Sequence, residues 1–146
     1  MAQLVDITDE HLVDLHPRLK SYTSMPFPYM RMTVRAYKNA GPSHAGVHEG
    51  RCFGIGGVVP VQKGVWHTWM MLSDDIAKHP KWFLRLCKSY VASMEENGIH
   101  RLQADIPADM KDWLAILERM GFENEGLMRA FSSDKQDYYR IAYIKV

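Results

Sequence analysis

His67 is the side chain in this sequence best suited to proton transfer, because an imidazole gains and loses its charge near neutral pH. It stands in an aromatic and β-branched run, residues 65–72, that predicts a strand. Glu49 in a Glu-Gly turn, and Tyr138 or Tyr139 near the C terminus, also carry groups that exchange protons. Each has a plainer interpretation: a strand histidine with one side to solvent, a turn residue, and half-buried sheet tyrosines. These residue types favour acid-base chemistry, with His67 as the catalytic candidate.

Two histidines four residues apart raise the question of a metal site. His44 and His48 fall in a segment flanked by glycine and proline rather than on a helix face, and neither a Cys nor a paired carboxylate completes a ligand set. Cys52 and Cys87 are far apart in sequence and lack metal-ligand spacing, so we predict that both thiols fill the core. No resident metal is expected.

A glycine-rich run at residues 54–57 has the composition of a phosphate-binding loop. It lies inside a β-run, whereas phosphate cradles place their glycines at the start of a helix. We therefore predict a strand that another backbone approaches closely. Aromatic residues at sheet and helix periods usually form core, and we apply that interpretation to Trp66, Trp69, Trp82 and Trp113.

Composition and charge limit the partners. The 146 residues carry a formal net charge of +1, with 47% hydrophobic and 24% charged residues, which is ordinary for one globular domain spanning residues 1–146. This balance predicts no nucleic-acid partner. No long apolar stretch suits a membrane span, and the first residues lack the basic and then apolar pattern of a secretory signal. We therefore expect no membrane partner and a cytoplasmic location.

Hydrophobic periodicity predicts the elements that must position these side chains. Alternating and β-branched runs predict strands at residues 4–7, 45–48, 52–61, 65–72, 101–106, 126–131 and 137–146. Apolar residues at three- and four-residue intervals predict helices near residues 9–16, 29–38, 83–94 and 113–120. Thr8 and Asp109 are candidate N-caps for the first and last of these helices. The proline-containing residues 21–28 predict a loop.

The C-terminal third carries the most distinctive residues. A short amphipathic helix ends at Gly121-Phe122, and then Glu125-Gly126, Arg129 and Asp137-Tyr138-Tyr139 follow. Together they resemble the C-terminal half of the GNAT acyltransferases, most closely the branch that acetylates protein N-termini. Residues 56–60, 66–72 and 79–83 are also similar to a phage-encoded branch of that superfamily that includes an internal virion protein.

The resemblance implies an α/β GNAT fold: a mixed, mostly antiparallel sheet of six to seven strands with about four helices, splayed between the fourth and fifth strands. It implies acetyl-CoA as cosubstrate and an amine as acceptor. A backbone N–H of the fourth strand would face the oxyanion. The last residues of that strand and the start of the third helix would hold the cofactor through Met70, Met71, Leu72, Ser73, Lys78 and Lys81.

Some positions of the family's site carry other residues in this chain. Leu117 occupies the position of the tyrosine that many relatives use in the fourth helix, and Trp113 and Met110 occupy the serine and asparagine positions of the N-terminal-acetylating branch. The pyrophosphate loop has no glycine and follows Asp74 and Asp75, whose charges oppose a phosphate.

Two hypotheses stay open. An N-acetyltransferase acting on a protein or small-molecule amine needs an open wedge between the fourth and fifth strands. A GNAT scaffold without catalysis, serving as a phage structural or host-interacting protein, predicts a wedge plugged by Trp113 or Trp69 and an exposed apolar patch elsewhere. The resemblance implies a monomer or homodimer, allows a protein partner, and places a phage-encoded chain in the host cytoplasm or the virion.

Overall fold

Seven strands and four α-helices make up the computed structural model, which describes residues 2–20 and 25–145. In chain order they are β1 (Gln3–Val5), α1 (Asp9–Leu15), α2 (Phe27–Ala40), β2 (Ser43–His48), β3 (Arg51–Gln62), β4 (Val65–Leu72), α3 (Pro80–Ser93), β5 (Arg101–Pro107), α4 (Lys111–Arg119), β6 (Glu123–Met128) and β7 (Tyr138–Ile144). Two short 3-10 helices precede α2 and α3, at His16–Arg18 and Asp74–Lys78. The predicted order of strands and helices is confirmed.

All seven strands form one mixed sheet in the order β1-β2-β3-β4-β5-β7-β6. Every neighbouring pair is antiparallel except β4 and β5, which run parallel. Parallel neighbours need a crossover connection, and α3 supplies it. The predicted mixed, mostly antiparallel sheet is therefore confirmed, and its one parallel pair lies near the middle.

Each face of the sheet is covered by a different pair of helices. The larger core lies under α3 and α4, where Trp82, Phe83 and Tyr90 of α3 are buried. The smaller core lies on the opposite face, where α1 and α2 pack against β3. Cys52 and Cys87 are buried and unpaired, one in each core, as predicted from their spacing. Within the described residues, no helix is both long enough and apolar enough to cross a bilayer.

Most boundaries of the helices and strands lie close to those predicted from the sequence, and three predictions were wrong. The side chain of Thr8 caps α1 as predicted. The second helix begins at Phe27, two residues early, because proline is tolerated in the first helical turn. The sixth strand begins at Glu123 rather than 126, since Gly126 sits in a bulge within it. Asp109 makes no cap: Met110 is the N-cap of α4 and has no side-chain cap bond. Residues 21–24 of the predicted loop, and Val146, lie outside the described residues.

The close backbone approach predicted at the glycine-rich run is confirmed in β3, and in β2 two aromatic side chains lie equally close to a glycine. A Cβ added to Gly57 would lie 2.5 Å from the Pro42 carbonyl oxygen. A Cβ at Gly46 would lie 2.5 Å from the Phe53 ring and 2.6 Å from the Trp82 ring. Those two rings already meet edge to face with their centroids 5.1 Å apart. This corner of the larger core therefore has no room for a methyl group.

We expect Gly46→Ala to lower the free energy of unfolding by about 1–3 kcal/mol, the usual cost of overpacking a core. Chemical denaturation would measure the loss. A Phe53→Leu variant, alone and combined with Gly46→Ala, tests the cause: if the methyl group strikes the Phe53 ring, the double variant should lose less than the sum of the single losses. If the loss in the double variant equals the sum of the two single losses, the methyl group does not strike the Phe53 ring.

Candidate active site

The parallel pair β4 and β5 separates part of the way along its length. The two strands are paired at Val65↔Arg101, Trp66↔Leu102 and His67↔Gln103, and the pairing ends there. The remaining five residues of β4, 68–72, and four residues of β5, 104–107, lead away from that last pair. The predicted splay between the fourth and fifth strands is present, and His67 marks its base.

A cleft occupies this splay, with an empty volume of about 600 Å³ that is partly open to solvent. It is lined by Thr68, Met70, Leu72, Phe83, Ala104, Asp105, Ile106, Pro107, Met110, Trp113 and Tyr138. Most of these side chains belong to the α3 and α4 side of the sheet. Asp105 alternates with Ala104 and Ile106 along β5, so its side chain belongs to the opposite face. Residues whose side chains belong to both faces of the sheet therefore line the cleft.

Neither tryptophan proposed as a plug closes the cleft. Trp113 forms part of its wall and meets the Phe83 ring edge to face, with centroids 4.2 Å apart. Trp69 points to the smaller core, where its ring centroid lies 4.9 Å from that of Tyr37 on α2. The open cleft is the geometry that the enzyme hypothesis requires.

Hydrogen bonding along β4 decides which backbone groups face the cleft. The Ser73 N–H donates to the Phe53 carbonyl of β3, and the Leu72 carbonyl accepts from the Lys20 N–H on the other side. Because the direction alternates residue by residue in an antiparallel ladder, the backbone of Met71 faces β3. The N–H groups of Met70 and Leu72 face the splay. Of the predicted backbone donors, Met70 and Leu72 are therefore directed into the cleft.

The predicted catalytic residue His67 is held in a cluster at the base of the cleft. Its Nε2 lies 3.3 Å from Oδ2 of Asp105, and the second oxygen of that carboxylate, Oδ1, accepts a 2.5 Å bond from Nε of Arg140. The Asp105 side chain is only 14% exposed. His67 is not among the residues that line the cleft, whereas Asp105 is. The contact with Asp105 therefore connects His67 to the wall of the cleft.

Opposing effects act on the pKa of Asp105. Burial is the largest single effect and raises the pKa, but hydrogen bonds from His67 and Arg140 and the positive charge of Arg140 together lower it below its ordinary value. The carboxylate is consequently an anion throughout the neutral range. A buried anion of this kind attracts a cationic amine and stabilises positive charge that develops on it.

The residues predicted to hold the cofactor's phosphates lie around the start of α3. The Ser73 hydroxyl and N–H both bond to the Phe53 carbonyl of β3. Lys78 is 77% exposed and lies 3.5 Å from Asp75, and Arg18 contacts the same carboxylate at 3.2 Å. These two cations offset the charge of Asp75 that opposes a phosphate. Lys81 is exposed in the first turn of α3.

The other sequence candidates separate into those at the cleft and those away from it. Tyr138 is buried and lines the cleft, while Tyr139 is half-buried and does not. Glu49 lies in the β2–β3 turn, 85% exposed. His44 bonds to the Tyr90 hydroxyl at 3.1 Å, and the His48 ring packs on that of His79 instead. Within the described part of the chain, no three His, Cys, Asp or Glu side chains are grouped to bind a metal.

Asp105 is the functional candidate that the sequence interpretation missed. The alternation of β5 carried a signal, because Arg101, Gln103 and Asp105 are polar while the residues between them are apolar. That pattern predicts a polar face. It does not reveal that β4 separates from β5 beside Asp105, which is what brings Asp105 to the wall of the cleft.

Comparisons with known proteins agree with this geometry at the level of the fold. No family profile and no curated sequence matches the chain. It is similar in structure to Ard1 from Thermoplasma volcanium, with a TM-score of 0.80 and 9% identity over 99% of this chain and 98% of that one. It is similar to the ribosomal-protein-S18-alanine N-acetyltransferase of Escherichia coli, with a TM-score of 0.76 and 13% identity over 100% and 96%. It is also similar to a GNAT superfamily phosphinothricin acetyltransferase from Sinorhizobium meliloti, solved with AcCoA. The TM-score is 0.77 and the identity 18%, over 99% of this chain and 88% of that one.

Proposed function

We propose, from the premise that this chain has the GNAT fold, that it is an acyl-CoA-dependent N-acetyltransferase. The observation that carries the proposal is the open cleft between β4 and β5, with the Met70 N–H directed into it from one strand and Asp105 lining it on the other. The N–H would stabilise negative charge on the thioester carbonyl oxygen, and the carboxylate would stabilise positive charge on the amine. The acceptor class is a protein or small-molecule amine.

The residues around the cleft fit the cosubstrate acetyl-CoA. The cleft walls are mostly apolar, with Phe83, Ile106 and Trp113 among them, and suit a thioester arm. Lys78 and Lys81 flank the N-terminus of α3, where unpaired backbone N–H groups also favour anions, and would meet the phosphates. Acetyl-CoA would supply the activated acyl carbonyl.

Acyl transfer forms a bond between nitrogen and the acyl carbon and breaks the bond between that carbon and sulfur. The proton that leaves the attacking nitrogen passes to water in the solvent-open cleft, and a second proton reaches the thiolate. The Met70 N–H would donate to the carbonyl oxygen as negative charge builds on it. Asp105, hydrogen-bonded by His67, stabilises the positive charge on the attacking nitrogen. The Tyr138 hydroxyl is the candidate proton donor for the sulfur, because Tyr138 lines the cleft.

The alternative of a scaffold without catalysis has less support. It predicts a plugged wedge, and Trp113 and Trp69 leave the cleft open. Phage origin, a virion or host-interaction role, a cytoplasmic location and a homodimer all stay predictions. The acceptors of the similar proteins differ, since one is named for phosphinothricin and another for a ribosomal-protein alanine. Both are amines, and the proposal extends no further than that class.

Binding of acetyl-CoA is the first test. A ligand that binds only the folded chain at 100 times its Kd adds about 2.7 kcal/mol to the free energy of unfolding. For a chain of this size that corresponds to a rise in Tm of roughly 5–10 °C. We expect a saturable rise of this order with millimolar acetyl-CoA in differential scanning fluorimetry. No rise across that range would favour the scaffold.

Charge reversal just before α3 tests the location of the phosphate site. We expect Lys78→Glu to weaken binding of acetyl-CoA about three- to tenfold, since it replaces a cation at the helix start with a repelling charge. Lys88→Glu is the matched control, because it makes the same change at an exposed position two turns farther along α3. Isothermal titration calorimetry measures both. Equal loss in the two variants would mean that the phosphates bind elsewhere.

A further inference from the structure

A continuous set of side-chain hydrogen bonds connects the base of the cleft to the far edge of the sheet. Glu125 on β6 accepts two bonds from Arg101, at 2.9 and 2.5 Å. Arg101 Nε donates to Gln103 Oε1 at 2.8 Å, and Gln103 Nε2 lies 3.1 Å from His67 Nδ1. The imidazole then meets Asp105. We call Glu125, Arg101 and Gln103 the relay.

The chemistry of these groups fixes every proton in the set. A guanidinium only donates, so the atom of Gln103 that faces Arg101 must be the amide oxygen. The amide NH2 of Gln103 then faces His67 and can only donate, so Nδ1 of His67 must be unprotonated. A neutral imidazole with a bare Nδ1 carries its proton on Nε2. That proton points at the Asp105 carboxylate, which can only accept.

We propose that Gln103 is a positioning residue that holds His67 as the neutral Nε2–H tautomer, so that His67 serves Asp105 as a hydrogen-bond donor instead of acting as the proton acceptor. The catalytic part of this inference depends on the proposed acetyltransferase function. The tautomer itself does not, because every contact that fixes it lies within the chain.

The relay also offers no acceptor for a proton on Nδ1 of His67. Protonation of Nδ1 would set one N–H against the NH2 of Gln103, and turning the amide would set that NH2 against the Arg101 Nε–H. Arg101 is held against such a rearrangement by Glu125, and hydrogen bonds from Arg101 lower the pKa of Glu125. A neutral His67 leaves Asp105, already paired with Arg140, as the anion among the residues that line the cleft.

Gln103→Glu is the sharpest test because it keeps the side-chain shape and the acceptor for Arg101. It replaces the donor that faces Nδ1 with an acceptor. Long-range 1H–15N NMR of the histidine rings, with the His67 signals assigned from a His67→Gln variant, distinguishes the protonation states. We expect a proton on Nε2 alone in the wild-type chain at neutral pH, and protons on both ring nitrogens in Gln103→Glu. Gln62→Glu, an exposed position on β3, is the control and should leave the His67 signals unchanged.

Kinetics then tests the catalytic consequence. We expect Gln103→Glu to lower kcat about tenfold or more, with the KM for the amine changed less than twofold, because proton-transfer and charge-stabilising groups act in the chemical step. A wild-type proton on Nδ1, or identical His67 spectra in the two proteins, would overturn the tautomer assignment. A changed tautomer with unchanged kcat would overturn the positioning role. The expected spectra in a chain that transfers no acyl group would refute only the acetyltransferase proposal.

Discussion

Replacing Met70 with proline should reduce acyl transfer about 10²- to 10³-fold, which is the usual cost of deleting one oxyanion donor. The Met70 N–H faces the cleft, so the substitution removes no hydrogen bond between β4 and β3. Steady-state kinetics with acetyl-CoA and an amine would show the loss in kcat, and circular dichroism would confirm that the sheet persists. Binding of acetyl-CoA should weaken much less than kcat falls.

A second proline variant separates this chemical effect from damage to the strand. Leu72→Pro removes the next N–H on the same side of β4 and keeps the Leu72 carbonyl that accepts from Lys20. We expect Leu72→Pro to lower kcat less than tenfold, because the Leu72 N–H lies two residues beyond the Met70 N–H along the strand. Similar losses in both variants would mean that proline disturbs β4 generally and that Met70 has no special part.

Asp105→Asn should have the other large effect, a fall in kcat of about 100-fold or more, within the range for removal of a group that manages charge and protons in the reaction. The variant keeps the shape of the side chain and removes its charge. Asp109→Asn makes the same change at an exposed position four residues later and should leave kcat unchanged. An active Asp105→Asn variant would remove the carboxylate from the mechanism.

The same variant should also lose stability in a pH-dependent way. The folded-state pKa of Asp105 lies below its ordinary value of 3.8, so its ionisation stabilises the fold above that pH, and the contribution is lost as the pH falls through the folded-state pKa. At pH 7 we expect Asp105→Asn to lower the free energy of unfolding by about 1–3 kcal/mol, since Arg140 and His67 lose a charged partner. Urea denaturation at pH 7 and near pH 3 should show the difference shrinking at the lower pH.

The fit to acetyl-CoA depends on a phosphate site that differs from the glycine-rich loop expected for the family. From the sequence alone, the negative charges of Asp74 and Asp75 are expected to repel a pyrophosphate. The fold brings Arg18 and Lys78 to Asp75, and the Lys20 ammonium lies 3.7 Å from Asp74. Much of the repulsion is thereby offset, so the two carboxylates do not rule out the proposed phosphate site at this helix start.

Sequence by itself determined the order and type of the elements and the region of the site. Period-two runs and three- to four-residue spacing are local properties, so β4 and α3 were predicted within a few residues of their observed bounds. The splay and the place of His67 at its base followed from the resemblance. Boundaries failed where local signals compete, as with the bulge at Gly126 and the proline in the first turn of α2.

Only the tertiary structure decided which groups act together. His67 and Gln103 are 36 residues apart, and Asp105 and Arg140 are 35 apart, so no local pattern specifies their contacts. They meet because strand register aligns them across β4, β5 and β7, and register follows from how whole faces of the sheet bury against the helices. The direction of the Met70 N–H follows in the same way from its pairing partner on β3. A chain's periodicity fixes its strands, but the pairing of those strands fixes the proton chemistry.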